Sequence, residues 1–140
     1  MRCSARAILI TKEGKFLLMK RQKKDTPTYY VTLGGGIEEK ETSQQALVRE
    51  LKEESGSILE KYEFSFHFED KKMNNSADFY LCFEKDRIKP TGTEWKKYNK
   101  ENQYELVEVE LQELETLNLK PDVLKEKFIE VFKKGLELIK

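Results

Sequence analysis

Three glutamates in the first half of the chain have the spacing of a metal-binding cluster. Glu50, Glu53 and Glu54 stand at positions i, i+3 and i+4, which places their side chains on one face of a helix, one turn apart. Like charges at this spacing destabilise a helix by roughly 0.2–0.5 kcal/mol per pair. Because carboxylate oxygens are the ligands that Mg2+ prefers, the cluster predicts a site for a hard divalent cation. The alternative is a solvated helix face, since 37% of the residues are charged.

The residues around the acids form a longer pattern that a solvated face does not require. The pattern begins at Gly35, passes through Glu41 and Arg49, and ends at Gly56 as G-x5-E-x7-R-E-L-x-E-E-x-G. Chance would match all of these positions in on the order of one chain in a million. Arg49 stands one turn before Glu53, so it can orient a carboxylate that its neighbours would repel. The alternative for Arg49 is an ordinary surface ion pair.

Residues 35–57 resemble the Nudix box, the signature of a family that hydrolyses nucleoside diphosphates linked to another group. The family pattern is G-x5-E-x7-R-E-U-x-E-E-x-G-U, where U is a bulky apolar residue. Within the box the chain departs from it only at Ser57, which replaces the last apolar residue. Just before the box, Leu33 replaces a Pro that is usual in the family, and within the box Lys40 replaces a Gly that is frequent there. These departures concern loop geometry and packing rather than the acids, so they bear on the substrate class more than on activity.

The resemblance implies a set of site residues and a cofactor. The metal ligands are Gly35, through its carbonyl, Glu50, Glu53 and Glu54, and the orienting residues are Arg49 and Glu41. The implied cofactor is Mg2+, for which Mn2+ can substitute. The glycines at 34–36 would let the backbone approach a ligand or a metal closely, although three glycines alone are equally typical of a flexible turn.

Hydrolysis also needs a group that accepts the proton of the attacking water. Glu50 and Glu53 are the first candidates for this base. Glu101 is the next, because residues 100–103 resemble a loop that supplies an extra metal-binding Glu in some family members that cleave nucleoside triphosphates. Glu105 is a third option. Surface acids without a catalytic role are the alternative for Glu101 and Glu105.

Candidate substrate contacts lie outside the box. Arg6 interrupts an otherwise apolar strand, and Arg21 closes the next strand together with Lys20, so these cations could bind a phosphate or simply occupy solvent-facing strand ends. Tyr29 and Trp95 lie in or beside loops, where they could stack on a base. These assignments predict a small-molecule nucleotide as the partner.

Composition excludes several other classes of partner. The 140 residues include 26 basic and 26 acidic ones, a balance that gives no long-range attraction to nucleic acid or membranes. With neither a long apolar run nor a signal-like leader, the sequence predicts one cytoplasmic domain over residues 1–140. Cys3 and Cys82 lack metal-ligand spacing and are expected to be free, buried thiols. The oligomeric state is left open, and a homodimer is one of the options.

The elements that must position the acids can be read from local signals. Thr42 and Gln45 form a capping box and Gly56 suits a left-handed C-terminal residue, so a helix is expected over 43–55. Leu47, Val48 and Leu51 would form its buried stripe, and Ala46 would leave room for an ion beside the acids. Strands are expected at 5–10, 16–21, 29–33, 62–68, 77–84 and 104–110, and helical segments at 111–117 and from Pro121 onward. This order, like the resemblance, implies an α/β fold: a Nudix-type α/β/α sandwich with a mixed β-sheet.

Three functions are compatible with these observations. The leading one is Mg2+-dependent hydrolysis of a diphosphate bond in a nucleoside diphosphate derivative, such as a nucleoside triphosphate or a nucleotide sugar. The second is a catalytically silent nucleotide-binding regulator of the same fold, but such relatives usually lose box acids and this chain keeps them all. The third is the isopentenyl-diphosphate isomerase branch, which needs a catalytic Cys. Cys3 and Cys82 fall in predicted strands away from the box, which disfavours that branch.

Overall fold

A six-stranded mixed sheet forms the middle layer of the protein. The computed structural model describes residues 1–88 and 102–139. The strands are β1 (Arg2–Ile10), β2 (Phe16–Lys23), β3 (Tyr29–Gly36), β4 (Ser57–Asp70), β5 (Asn75–Arg87) and β6 (Asn102–Val109). Their order across the sheet is β4-β5-β1-β3-β2-β6. β1 and β5 are parallel, and the other pairs within the described residues are antiparallel.

Helices cover both faces of this sheet. They are α1 (Ser43–Ser55), α2 (Leu111–Leu114) and α3 (Lys125–Leu138), with a 3-10 turn at Asp122–Leu124. One core packs α1 onto the sheet, and its members include Leu9, Leu17, Leu33, Leu47 and Leu51. The other core packs α2 and α3 onto the opposite face, and its members include Ile8, Phe16, Phe79, Phe128 and Phe132. Full burial of one such side chain contributes about 1.5–3 kcal/mol. The predicted α/β/α sandwich with a mixed sheet is therefore confirmed.

Strand β3 bridges two strands that diverge from each other. β1 and β2 pair only at their joined ends, through Leu9–Leu17 and Ile10–Phe16. The first half of β3 pairs with β2, and its second half pairs with β1. At the changeover Gly34 has φ 137°, and a Cβ there would lie 2.2 Å from the Ala5 carbonyl oxygen. Only glycine fits such an approach of two backbones.

Helix α1 has the ends that its sequence predicts. The Thr42 hydroxyl accepts from the Gln45 N–H at 3.1 Å, and the Gln45 side chain accepts from the Thr42 N–H at 2.9 Å. Gly56 is left-handed, with φ 72°. Two predictions about its faces are wrong. Val48 is 44% exposed, and Ala46 is fully buried in the core rather than beside the acids, because its small side chain lets the helix lie close to the sheet.

Strand β4 is confirmed, but its four alternating aromatics do not share one face. A register shift between Phe64 and Phe66 pairs them with the successive residues Tyr80 and Phe79 of β5. Phe64 therefore meets the Tyr80 ring edge-on at 5.7 Å on the α1 side. Phe66 instead stacks on Phe79 at 4.7 Å on the α3 side. A β-bulge has this effect, because one extra residue reverses the side to which the strand's residues point.

Other boundaries differ modestly from expectation. β3 continues through the glycines to Gly36, and the last helix begins at Lys125, because Pro121 precedes a 3-10 turn instead. Both cysteines are free, as predicted, but only Cys82 is buried and Cys3 is exposed. Across residues 1–88 and 102–139, no helix is long and apolar enough to span a membrane.

Candidate active site

Arg49 donates hydrogen bonds to acids on α1 and to residues before the helix. Its Nε and one terminal nitrogen donate to the two carboxylate oxygens of Glu41 at 2.8 and 2.9 Å. The same terminal nitrogen donates to the Gly36 carbonyl at 2.9 Å. Its other terminal nitrogen donates to Glu50 at 2.9 Å and to Glu53 at 3.4 Å. Arg49 thus connects two of the three candidate ligands on α1, Glu50 and Glu53, to the loop before the helix and to the end of β3.

The ion pair between Glu41 and Arg49 is charged throughout the neutral range. Hydrogen bonds from Arg49, and then from the Glu38 N–H, lower the pKa of the Glu41 carboxyl to about 2. Glu41 in turn raises the pKa of Arg49 above its ordinary value. This fork-to-fork geometry is the strongest form of an ion pair at a partly exposed position. The two predicted orienting residues therefore lie together, in contact with the predicted ligands.

The glycines of β3 lie directly against the acids of α1. A Cβ on Gly35 would lie 2.4 Å from the carboxyl carbon of Glu50, far inside van der Waals contact. One turn further along the helix, the Gly34 N–H donates to Glu54 at 2.8 Å. The missing side chain at position 35 therefore makes the space that the Glu50 carboxylate occupies. The structure brings Gly35, Glu50 and Glu54 to one place, as the predicted metal site requires.

The donor chemistry of this corner fits Mg2+, although its side chains have other partners. Carboxylate and carbonyl oxygens are the donors that hard divalent cations take. Among residues 1–88 and 102–139, however, no three Asp, Glu, His or Cys side chains converge closely enough to hold a metal ion. Glu50 and Glu53 are turned toward Arg49, and Glu54 is bonded to the Gly34 N–H. These cationic and N–H partners offset the mutual repulsion of the carboxylates.

Two adjoining clefts open beside the acids. The small cleft has a volume of about 240 Å³ and is bounded by Glu50, Glu54 and the glycines at 34–36. The large cleft has a volume of about 660 Å³, and its walls include the apolar side chains of Phe68 and Phe79. Five residues line both clefts: Arg2, Arg6, Arg21, Val31 and Thr32. Three arginines therefore stand between the carboxylates and the apolar walls.

Arg6 is half-buried beside the acids. One of its terminal nitrogens donates to the Thr32 carbonyl at 2.6 Å. Burial lowers the pKa of Arg6, while the charges of Glu54 and Glu50 act in the opposite direction. Burying a cation is costly unless opposite charge compensates it. Arg6 also lines both clefts, and its contact with a phosphate stays a prediction.

Arg21 lies between two tyrosines on neighbouring strands. β2 pairs Arg21 with Tyr29 of β3 and with Tyr104 of β6. The guanidinium carbon is 4.4 Å from the centre of the Tyr104 ring and 5.8 Å from that of Tyr29. Within the described residues, Tyr29 lines neither cleft, and the stacking of Tyr29 on a base stays a prediction.

Sequence reasoning missed some residues of the site and named others that do not reach it. Arg2 and Tyr104 line the small cleft, but only the strand register, which a single sequence does not reveal, brings them there. Glu105 pairs with Lys20 and alternates with Tyr104, so it points to the opposite face of the sheet from α1. This placement argues against Glu105 as the base. The predictions for Glu101 and Trp95 concern residues outside those that the structure describes.

Comparison with known proteins identifies the arrangement. A family model described as the NUDIX domain matches residues 1–132. A solved MutT structure, from work on Aliivibrio salmonicida and Vibrio cholerae, is 19% identical with a TM-score of 0.68, over 95% of this chain and 98% of that one. The E. coli ORF135 protein is 26% identical with a TM-score of 0.64, over 96% and 89%. A MutT Nudix hydrolase from Burkholderia pseudomallei is 19% identical with a TM-score of 0.63, over 92% and 95%. No curated protein sequence matches significantly.

Proposed function

The chain belongs to the NUDIX domain family, and we propose that it is a hydrolase that cleaves a diphosphate bond in a nucleoside diphosphate derivative, with Mg2+ as cofactor and water as the nucleophile attacking phosphorus. A nucleoside triphosphate or a nucleotide sugar is a substrate of this kind. The contact between Gly35 and the Glu50 carboxylate carries the proposal. Strand β3 has no side chain at Gly35, and the Glu50 carboxylate occupies that space, beside Glu54 and next to Glu53. This arrangement has the properties of a cation site rather than of a solvated helix face.

The residues of the site have separate roles in this proposal. Glu50, Glu53 and Glu54, with the Gly35 carbonyl, would hold the metal. Mg2+ held there would supply charge neutralisation at the phosphates and a lowered pKa for a water molecule. A glutamate would accept the proton of the attacking water, and Glu50 and Glu53 are the candidates within the described residues, with Glu101 as the candidate outside them. Since Arg49 holds both Glu50 and Glu53, it restricts the positions from which each can act.

The two clefts suggest how a substrate would lie. The phosphates would occupy the small cleft and cross the three shared arginines, Arg2, Arg6 and Arg21, whose charge complements theirs. The nucleoside would occupy the large cleft, whose volume of about 660 Å³ is within the usual range for ligand pockets. Phe68 and Phe79 supply apolar surface there for a base or sugar.

A substrate panel with a matched pair of variants tests this function. Nucleoside triphosphates, nucleotide sugars, ADP-ribose, dinucleoside polyphosphates and capped RNA would be incubated with Mg2+, with Mn2+ and with a chelator, while released phosphate or nucleotide is measured. We expect metal-dependent cleavage of one class, abolished by Glu53→Gln because that change removes a metal ligand at constant volume. Glu60→Gln, an exposed acid on β4, is the control and should retain full activity.

Two results would contradict the proposal. One is cleavage that survives excess chelator, and the other is a Glu53→Gln variant with unchanged Mg2+ dependence. Nucleotide binding without cleavage of any panel member, in a protein that still binds the metal, would instead favour the silent regulator.

A further inference from the structure

Tyr104 carries a hydroxyl group whose acceptor capacity is already used. Its oxygen accepts from a terminal nitrogen of Arg21 at 2.8 Å and from the Asn102 side-chain amide at 2.9 Å. A phenolic hydroxyl both accepts hydrogen bonds and donates one proton. With two donors directed at its oxygen, the group has only its own proton left to give. Within residues 1–88 and 102–139 that proton has no acceptor among the hydrogen bonds of Tyr104.

Tyr104 lies at the small cleft. Tyr104 is half-buried and lines that cleft together with Arg21, Glu50 and Glu54. Strand alternation gives the same result, because Tyr104 and Arg21 are register partners whose side chains lie on the α1 face of the sheet. A hydroxyl proton that has no protein acceptor is satisfied by water or by a ligand, and at this position the small cleft can supply either.

Arg21 also carries an N–H group that has no hydrogen-bond acceptor within the described part of the chain. Its guanidinium stacks on the Tyr104 ring at 4.4 Å, and Tyr29 flanks it on the other side. Its Nε is buried and has no hydrogen-bond partner within the described part of the chain. Stacking between two rings fixes a guanidinium while leaving its N–H groups free to meet an anion in plane.

We propose that Tyr104 and Arg21 form a two-point receptor for a phosphate oxygen of the substrate, in which the Tyr104 hydroxyl donates to the anion and the Tyr104 ring holds Arg21 in place. The ligand class is a pyrophosphate-type anion, because the receptor lies in the same cleft as the acids of α1. This inference rests on the proposed hydrolase function for its biological meaning, but the anion binding itself does not require hydrolysis.

The variant Tyr104→Phe tests the hydroxyl alone. It keeps the ring, so burial and stacking on Arg21 remain, while the donated proton is lost. Hydrogen bonds to charged groups correspond to a roughly ten- to hundredfold change in affinity. The matched control is Tyr62→Phe, because Tyr62 of β4 is partly exposed, packs against Tyr80 and lines neither cleft within the described residues.

The measurement is titration calorimetry with inorganic pyrophosphate in the presence of EDTA, so that no metal contributes. We expect the wild-type protein to bind pyrophosphate, Tyr104→Phe to bind it at least tenfold more weakly, and Tyr62→Phe to bind it as the wild type does. With a cleaved substrate from the panel, Tyr104→Phe should raise KM about tenfold and change kcat less than twofold. Equal binding by Tyr104→Phe and wild type, equal losses in both variants, or no binding by the wild type would each overturn the receptor. Inactivity on the whole panel with intact pyrophosphate binding would instead refute the proposed hydrolysis and leave the receptor standing.

Discussion

Replacing Gly35 by alanine should separate catalysis from stability more cleanly than any change to the acids themselves. The added Cβ would lie 2.4 Å from the Glu50 carboxyl carbon and 2.6 and 2.7 Å from its two oxygens. The backbone at position 35 has no left-handed φ, so alanine is compatible with the strand. The atoms in the way belong to the end of a flexible side chain, and they can move while the fold stays intact.

The displacement sets the size of the effect. To reach ordinary contact with the new methyl group, the Glu50 carboxylate must retreat by about 1 Å, which also disturbs its 2.9 Å hydrogen bond to Arg49. A misplacement of about 1 Å in a catalytic constellation can cost on the order of a hundredfold in rate. Stability should change little, since alanine in a strand is more favourable than glycine by roughly 0.5–1 kcal/mol, which offsets part of the strain.

Two readouts and two neighbouring glycines make the test specific. Initial rates on the cleaved substrate and Mn2+ affinity should both fall in Gly35→Ala, while the thermal midpoint stays within a few degrees of the wild type. Gly36→Ala should behave as wild type, because the nearest atom to its Cβ is 3.9 Å away, on Arg2. Gly34→Ala should lose stability instead, since its Cβ meets the Ala5 carbonyl at 2.2 Å and its φ of 137° alone costs an alanine roughly 1–3 kcal/mol.

A Gly35→Ala enzyme with wild-type rates and metal affinity would refute this reasoning. It would mean that the Glu50 carboxylate works equally well from a position 1 Å away, and hence that the close approach of β3 to α1 has no catalytic meaning. A variant that loses rate only in proportion to a loss of folded protein would be equally damaging, because the argument requires an intact fold.

The remaining predictions concern charge and exposure. Because the pKa of Glu41 is lowered from 4.5 to about 2, its ion pair stabilises the fold above pH 4.5, and that contribution is lost as the pH falls toward 2. Glu41→Gln should therefore be less stable than wild type at pH 6, and the difference between their urea midpoints should close by pH 2. A difference that widens in acid would contradict the lowered pKa. Glu105→Gln should keep full activity, measured beside the inactive Glu53→Gln, because Glu105 faces away from α1; a loss comparable with that of Glu53→Gln would restore it as a base. Thiol labelling of the native protein should modify Cys3 quickly and Cys82 only after unfolding, since Cys82 is fully buried and burial raises its pKa. Hydrolysis should survive alkylation of Cys3. Inactivation by that alkylation would favour cysteine-dependent chemistry.

The features predictable from sequence were those with local causes. The bounds and both caps of α1 follow from Thr42, Gln45 and Gly56, because capping depends on residues within a few positions of each other. The contact of Arg49 with Glu53 follows from helical spacing in the same way. The predicted metal ligands lie near one another because the acids share a helix and the glycines end the strand that precedes it.

The features that sequence missed depend on contacts between distant segments. Nothing near Ser65 marks the bulge that sends Phe64 and Phe66 to opposite faces, since alternation continues unbroken through it. Tyr104 meets Arg21 only because β6 pairs with β2 in one register. Val48 was expected in the core because it is apolar, yet Ala46 is there instead, since the depth to which a helix face is buried depends on the surface beneath it.

The parallel pairing of β1 with β5 has a consequence for how the protein is made. Residues 2–10 lie beside residues 75–83, so this central part of the sheet joins segments more than 70 positions apart. Contacts of such long range close slowly, and a chain leaving the ribosome cannot form them until the later segment has emerged. The helix that bears the acids can form long before that point, while β1, against which it must pack, still lacks a neighbour on one side. The nascent chain therefore carries the helix with the predicted metal ligands before the surface that orients it is complete, and this helix should reach its native position only after β5 has been synthesised.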